Sequence, residues 1–185
     1  MSDRAGPKTN PDTLSPAERV ARMIRVDQAG EYGAVRIYRG QRAILGRRGS
    51  DAALAQMEEA ERQHLATFSA LMVERRVRPT VFQPLWHLAG FALGAGTALL
   101  GEKAAMACTV AVEEVIEDHY ARQATALEGR GEPKLKAEIE QARAGEIEHR
   151  DAALSAGARE APGFTALTAA VKAGSRLAIW LSERF

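Results

Sequence analysis

The sequence predicts an all-α fold: a four-helix bundle made of two helical hairpins, with an apolar connecting segment and an extra C-terminal helix. Three observations carry that prediction. Helix start and stop signals recur along the chain, and no stretch reads as a strand with turn chemistry. Two Glu-x-x-His quartets, ERQH at 61–64 and EIEH at 146–149, each follow a lone glutamate, Glu31 and Glu113, at separations of 30 and 33 residues. The halves also match elsewhere: superposing Glu31 on Glu113 brings Tyr38 onto Tyr120 and Gln41 onto Gln123, and superposing the quartets brings Gln56 onto Gln141. A helical hairpin repeated once builds a four-helix bundle with pseudo-twofold symmetry.

Residues 1–14 hold no apolar stretch, do not read as a secretory signal, and are expected as a flexible tail before one domain spanning 15–185. Ser15 is an N-cap, Pro16 suits the first helical position, and Glu18 completes a capping box. This helix should run to about Gly46, where LGRRGSD breaks it and Asp51 can cap the next. The second helix carries the first quartet and ends near Val77, ahead of Pro79. A third runs from about Thr97 or Glu102 to Glu128 and stops at Gly129-Arg130-Gly131. The fourth opens at Glu132-Pro133 and carries the second quartet to about Ala156. After Pro162-Gly163, residues 164–183 form one more helix, with Leu167, Ala170, Val171, Gly174, Ala178 and Leu181 at helical spacing.

A chain of 185 residues, 46% apolar and 26% charged, suits one folded domain with a real core, and its net charge of +1 gives no global sign of a nucleic-acid partner. Arginines do cluster, at Arg22, Arg25, Arg36, Arg39, Arg42, Arg47 and Arg48, then at Arg75, Arg76 and Arg78. A solvated helix face is the default reading; such a patch also suits anionic headgroups, at about 1 kcal/mol per well-placed side chain. The lone Cys108 excludes an intramolecular disulfide, fits a reducing compartment, and reads most simply as a small buried residue.

Residues i and i+3 share a helix face, so Glu61 with His64, and Glu146 with His149, can each offer an oxygen and a nitrogen to one ion. The other glutamates must come from facing helices at the same depth. Level residues in an antiparallel hairpin are equidistant from the turn. Midway between Glu31 and Glu61 stands Gly46, and midway between Glu113 and Glu146 lies the Gly129-Arg130 junction. Both midpoints fall on breakers identified from turn chemistry. Four carboxylates meeting in a bundle interior would cost several kcal/mol per ion, and two divalent cations remove that objection. Imidazole with carboxylate, without thiolate, favours iron or manganese. One Glu-x-x-His is ordinary on a solvated helix; two, each level with a glutamate across a turn, point to a metal site.

The candidate ligands are therefore Glu31, Glu61, His64, Glu113, Glu146 and His149. In VAVEEV either Glu113 or Glu114 could serve, and Glu113 keeps the tyrosine registration. Gly30 and Gly33 flank Glu31 at about 1 kcal/mol each relative to alanine, a cost that close approach of a helix or ligand would explain. Tyr38 and Tyr120, each two turns beyond a ligand glutamate, either line the site or are core tyrosines; His119, beside Asp118, stands behind the ligands or at the surface. Trp86 and Trp180 read as core or interfacial anchors.

From residue 79 to 101 there is no Asp, Glu, Lys or Arg. The most apolar part, 85–100, is 16 residues long and contains His87 and three glycines, short of the roughly 20 a membrane span needs. One crossing would also put Glu31 and Glu61 on the opposite side of a membrane from Glu113 and Glu146. The segment is thus buried core, a membrane-interface element or a greasy entrance, and because it begins outside the four-helix unit, membrane contact is expected.

Five stretches resemble the demethoxyubiquinone hydroxylase family, ferritin-like di-iron monooxygenases of ubiquinone biosynthesis: RMIRVDQAGEYGAVRIYRGQ (22–41), EEAERQHL (58–65), GEKAAMACTVAVEEVIEDHY (101–120), GEIEHRD (145–151) and RLAIWLSERF (176–185). The resemblance implies a ferritin-like fold, with Glu31, Glu61, His64, Glu113, Glu146 and His149 as ligands to two iron ions and with Glu61 and Glu146 bridging. It implies O2 as co-substrate, a methoxy-polyprenyl-benzoquinol as substrate, and ring hydroxylation in the penultimate step of ubiquinone synthesis. It further implies a peripheral position on the cytoplasmic face of the cell (inner) membrane and a protein partner that presents the lipid. An external electron donor is also needed. No flavin or dinucleotide motif is present, so a nicotinamide would act through a reductase or through the quinone itself. Two other readings compete: a bacterioferritin- or rubrerythrin-like iron oxidase, and a metal-free membrane-associated helical scaffold. The missing C-x-x-C pairs disfavour a rubredoxin-bearing peroxidase, and the apolar segment does not suit a soluble storage cage.

Overall fold

The computed structural model describes residues 14–46 and 51–185. Among them are six α-helices and no strand: α1 (Pro16–Leu45), α2 (Asp51–Glu74), α3 (Gln83–Leu99), α4 (Glu102–Ala126), α5 (Pro133–Ser155) and α6 (Phe164–Arg184), with a 3₁₀ turn at Ala158–Glu160. Residues 1–13 of the expected tail, Arg47, Arg48 and the expected Asp51 cap lie outside the description. The predicted all-α, ferritin-like bundle is what forms: α1 with α2 and α4 with α5 make two hairpins, and α1 meets α4 as α2 meets α5.

Local chemistry sets the boundaries. The Ser15 side chain accepts from the Glu18 amide at 3.2 Å while Glu18 accepts from the Ser15 amide at 2.8 Å, so the capping box starts α1 where the sequence places it. Helix α2 ends at Glu74, earlier than Val77, because Arg76 turns left-handed (φ 53°) and the Val77 amide closes back on the Met72 carbonyl at 2.8 Å. Gly101, at φ 115°, separates α3 from α4, which fixes the start of α4 at Glu102 and not at Thr97.

The apolar segment is a helix in its own right, lying along α1 with the two backbones in contact. A Cβ on Gly94 would fall 1.9 Å from the Ile37 carbonyl oxygen, and one on Gly40 would fall 2.2 Å from that of Phe91. Only glycine permits that approach. One face of α3 is therefore inside, while Leu85, Leu88, Phe91 and Leu99 on the other are exposed. Helix α6 covers α4 and α1. Its buried residues are Thr168, Val171 and Ser182, and Leu167 packs against both apolar clusters, while Ala170 and Gly174, at the same helical spacing, are exposed. Thr168 donates to the Phe164 carbonyl at 2.8 Å, which satisfies its hydroxyl inside the bundle, and Ser182 accepts from the Trp86 indole at 3.0 Å. The Phe185 carbonyl accepts from the Val81 amide, tying the end of α6 to the start of α3.

Two apolar clusters fill the bundle. One gathers Ile24, Phe68, Leu71, Leu135 and Ile139, the other Leu45, Leu54, Met57, Ala105 and Ala153. Between these two ends, at mid-height, lies a layer of buried charge.

Candidate metal centre

Glu31 from α1, Glu61 and His64 from α2, Glu113 from α4, and Glu146 and His149 from α5 converge in that layer. The four glutamates are at most 1% exposed. Their donor atoms fall into two groups, Glu31-Glu61-His64-Glu146 and Glu61-Glu113-Glu146-His149, within each of which all atoms lie within 4.8 Å of one another. Glu61 and Glu146 belong to both groups. Glu114 does not join: it is half-buried, outside both donor groups, and pairs with Lys172.

Eight atoms of these six residues are buried without a hydrogen-bond partner: both carboxylate oxygens of Glu61 and Glu146, Oε2 of Glu31 and of Glu113, and Nδ1 of both histidines. Buried polar atoms are nearly always satisfied, so eight orphans facing one another are what cation ligands look like. His149 Nδ1 stands 2.8 Å from Glu61 Oε1 but out of line for a hydrogen bond, and His64 Nδ1 lies 3.5 Å from Glu146, 3.7 Å from Glu31 and 3.8 Å from Glu61. Oxygen and imidazole donors suit iron or manganese. Cys108 offers no thiolate, since burial pushes its thiol up to about 12.

Electrostatics tell the same story. Burial, reinforced by the Glu61 charge, pushes Glu31 and Glu146 well above the ordinary glutamate range and raises Glu113. Burial opposes the charge on Glu61 too, but hydrogen-bonding approach by His149 and His64 outweighs it and brings Glu61 down to about 2. Without a cation, the cluster keeps one carboxylate charged and favours protons on the other three.

The tyrosines cross between hairpins. The Tyr38 hydroxyl, from α1, donates to Glu113 Oε1 of α4 at 2.6 Å, and Tyr120, from α4, donates to Glu31 Oε1 of α1. Both hydroxyls thus bond to carboxylates of the candidate cluster. Each phenol holds one carboxylate oxygen and leaves the other facing the cluster. Burial and these glutamates raise both phenols well above their usual value, so they stay protonated donors.

Beside the cluster is an apolar cavity of about 380 Å³ between α1, α3, α4 and α6. Gly30 and Ala34 flank Glu31, and Val112 and Ile116 flank Glu113; all four form its wall, and Trp86 and Ala178 border it further out. The Cβ positions of Gly30 and Gly33 face open space, so at Gly30 and Gly33 the small residues leave room in the cavity.

The family model for Ubiquinone biosynthesis protein COQ7 matches residues 18–182. This chain belongs to the COQ7 family. It is 57% identical over 185 residues to a 3-demethoxyubiquinol 3-hydroxylase of Rhodospirillum rubrum, covering 97% of this chain and 87% of that protein. It is 51% identical over 178 residues to a mitochondrial NADPH-dependent 3-demethoxyubiquinone 3-hydroxylase of Mus musculus, covering 94% and 82%. With the mitochondrial 5-demethoxyubiquinone hydroxylase of Saccharomyces cerevisiae the identity is 42% over 179 residues, covering 88% and 77%.

In this COQ7-family chain several polar residues near the centre escape a reading by motif. Asp27, one turn before Glu31, is buried and accepts from Gln123 Nε2 at 2.8 Å, with His119 Nε2 at 3.3 Å. His119 thus turns inward to Asp27, while its neighbour Asp118 pairs with Arg122 at the surface. Gln41, the repeat partner of Gln123, donates to the Ala105 carbonyl at 3.0 Å and to Thr109 at 3.3 Å. Registration of the two glutamines in the repeat was the available signal. Glu58, buried one turn before Glu61, is held by Arg39, Arg42 and Arg62, which together keep its carboxyl below the ordinary range despite burial.

Proposed function

We propose that this chain is a di-iron monooxygenase that hydroxylates the ring of a demethoxyubiquinol, a methoxy-polyprenyl-benzoquinol, in the penultimate step of ubiquinone biosynthesis. Membership of a family whose relatives bear that hydroxylase name supports the substrate. The observation that carries the mechanism is the set of eight unpaired donor atoms beside an apolar cavity.

Glu31 and His64 would hold one iron and Glu113 and His149 the other, with Glu61 and Glu146 bridging because each belongs to both donor groups. When bound, the two irons would supply reductive activation of O2 and delivery of one oxygen atom to the ring. The chain's own residues do the rest. Tyr38 and Tyr120 fix the outer carboxylate oxygens of Glu113 and Glu31, which aims the remaining ones inward. The cavity, within the 300–1,000 Å³ typical of ligand pockets, takes the ring and the first part of the tail. Its lining excludes water from the oxidant. An iron oxidase has no use for such a cavity, which favours the hydroxylase reading.

No helix among the described residues is long and apolar enough to cross a membrane. We read the exposed Leu85, Leu88 and Phe91 of α3 with Leu177 and Trp180 of α6 as a face that rests in the bilayer interface; Leu177 also lines the cavity, so that the prenyl tail need not leave the lipid. Arg36 over the Phe91 ring and Arg184 over the Trp180 ring stand where headgroup phosphates would be. The reading includes a single domain from residue 15 onward, a peripheral position on the cytoplasmic face of the cell membrane, an external electron donor, and a partner that presents the lipid. The mouse relative's name specifies NADPH, in keeping with a donor of that class acting through a reductase or the quinone.

The test is O2 uptake by iron-loaded protein supplied with reductant and a short-chain demethoxyubiquinol, with isotopically labelled O2. Uptake that requires the quinol and puts one labelled atom on its ring is expected. Turnover on Fe(II) alone, with unlabelled quinol, would make the chain an iron oxidase.

A further inference from the structure

We propose that Gly145 is a positioning residue for His64, and that its missing side chain decides whether the metal position served by Glu31 and His64 is filled. The proposal rests on the di-iron reading above. Gly145 sits within α5, immediately before Glu146. Its φ is not among the positive glycine angles, so the backbone there does not demand glycine. Glycine in a helix interior costs about 1 kcal/mol relative to alanine. Something else must require it. A Cβ at this position would lie 2.7 Å from His64 Cε1 and 3.1 Å from His64 Nε2, and its three nearest contacts all belong to the His64 ring. The imidazole on α2 is therefore seated edge-on against the α5 backbone, with Nδ1 turned toward Glu31, Glu61 and Glu146 at 3.5–3.8 Å.

The repeat sharpens the point. The position that matches Gly145 in the first half is Ala60, immediately before Glu61. One imidazole of the pair is thus fitted to a glycine and the other is not, although the donor residues are the same. A methyl group at 145 must open its contact with the ring by about 0.7 Å, from 2.7 Å to ordinary van der Waals separation at 3.4 Å. Metal–nitrogen distances tolerate only about 0.2 Å. The His64 ring cannot move that far and remain a good ligand.

The experiment compares Gly145→Ala, Ala60→Gly, His64→Ala and the Gly145→Ala/His64→Ala double variant, measuring iron per chain after anaerobic Fe(II) loading and the melting temperature of metal-free protein. Gly145→Ala should hold one iron firmly where the parent holds two, with the second weakened at least about tenfold. Its metal-free melting temperature should equal or exceed the parent's, because alanine favours the helix. Ala60→Gly should keep both irons, and the double variant should bind iron as His64→Ala does. Two irons at parental affinity in Gly145→Ala, a lowered metal-free melting temperature, or further iron loss in the double variant would each overturn the role of Gly145. A parent that holds no iron would instead overturn the di-iron reading itself.

Discussion

The first hairpin brings Glu31, Glu61 and His64 to the centre and the second brings Glu113, Glu146 and His149 in the same order, yet the two halves are dressed differently. Around Glu31 lie Asp27, His119 and Gln123, a buried network with a carboxyl and an imidazole; around Glu113 the matching shell has neither, only Thr109 and Gln41 closed by the Ala105 carbonyl. On its outer face α1 carries Gly30, Gly33 and Gly40 and meets α3 backbone to backbone, whereas α4 has Val112, Val115 and Arg122 at the matching positions and is covered by α6. The six donor residues are held alike in both halves, as the proposed pair of like ions would require. The surroundings differ, and they differ beside the apolar cavity proposed to admit the ring. On that reading, chemistry belongs to the symmetric part and access to the asymmetric part.

The largest effects should come from the donors shared by both halves. Glu61→Ala and Glu146→Ala are each expected to lose both irons and all detectable hydroxylation, while Glu31→Ala and Glu113→Ala keep one iron; metal analysis of the four variants reads this directly. Unequal results for Glu61 and Glu146 would break the symmetry claimed for the centre. Next comes the α1–α3 contact. Gly94→Leu forces the backbones apart and should cost about 3 kcal/mol, seen as a lower melting temperature. The counterpart, Gly33→Ala, faces the cavity and should cost nothing or stabilise by up to about 1 kcal/mol while weakening quinol binding, which titration with a short-chain quinol measures.

The crossing tyrosines test the symmetry more finely. Tyr38→Phe and Tyr120→Phe should each lower iron affinity about 10–100-fold, by chelator competition. A larger loss for Tyr120 would show that the Asp27 network behind Glu31 adds to its orientation. The smallest effect is on metal-free protein. Glu31, Glu113 and Glu146 have folded-state values raised above the ordinary 4.5, so their contribution is present below that pH and is lost as pH rises through the raised values. Glu61, held at about 2, acts in the opposite sense over the lower range, one group against three. Metal-free protein should lose stability from about pH 5 upward, and the gap between iron-loaded and metal-free melting temperatures should widen from pH 5 to pH 8.

Much of this was legible in the chain because helical geometry is rigid. Fixed i, i+3 spacing and equidistance from a turn bring the six donors to one level without any tertiary information. The seven-residue step to Tyr38 and Tyr120 gave the right helix face but not the partner, since nothing local says that each phenol crosses to the other hairpin. Gly90 and Gly94 counted in the sequence only against a membrane span; the neighbouring backbone of α1 is what explains them. In α6 the helical spacing gave the helix and its core residues Leu167 and Val171, but hydropathy does not see that Thr168 satisfies its own hydroxyl and that Ser182 serves Trp86, so those two buried positions were not legible. His119 was read as standing behind the ligands or at the surface; its contact Asp27, far along the chain, could not be seen locally.

The most direct test of the central claim is iron per chain, by metal analysis of anaerobically reconstituted protein. Two tightly held irons, falling in Glu31→Ala and again in His149→Ala, are the predicted result. Absence of tightly held iron in the parent, or full iron content in both variants, would contradict it, and the four glutamates of the cluster would then need another explanation.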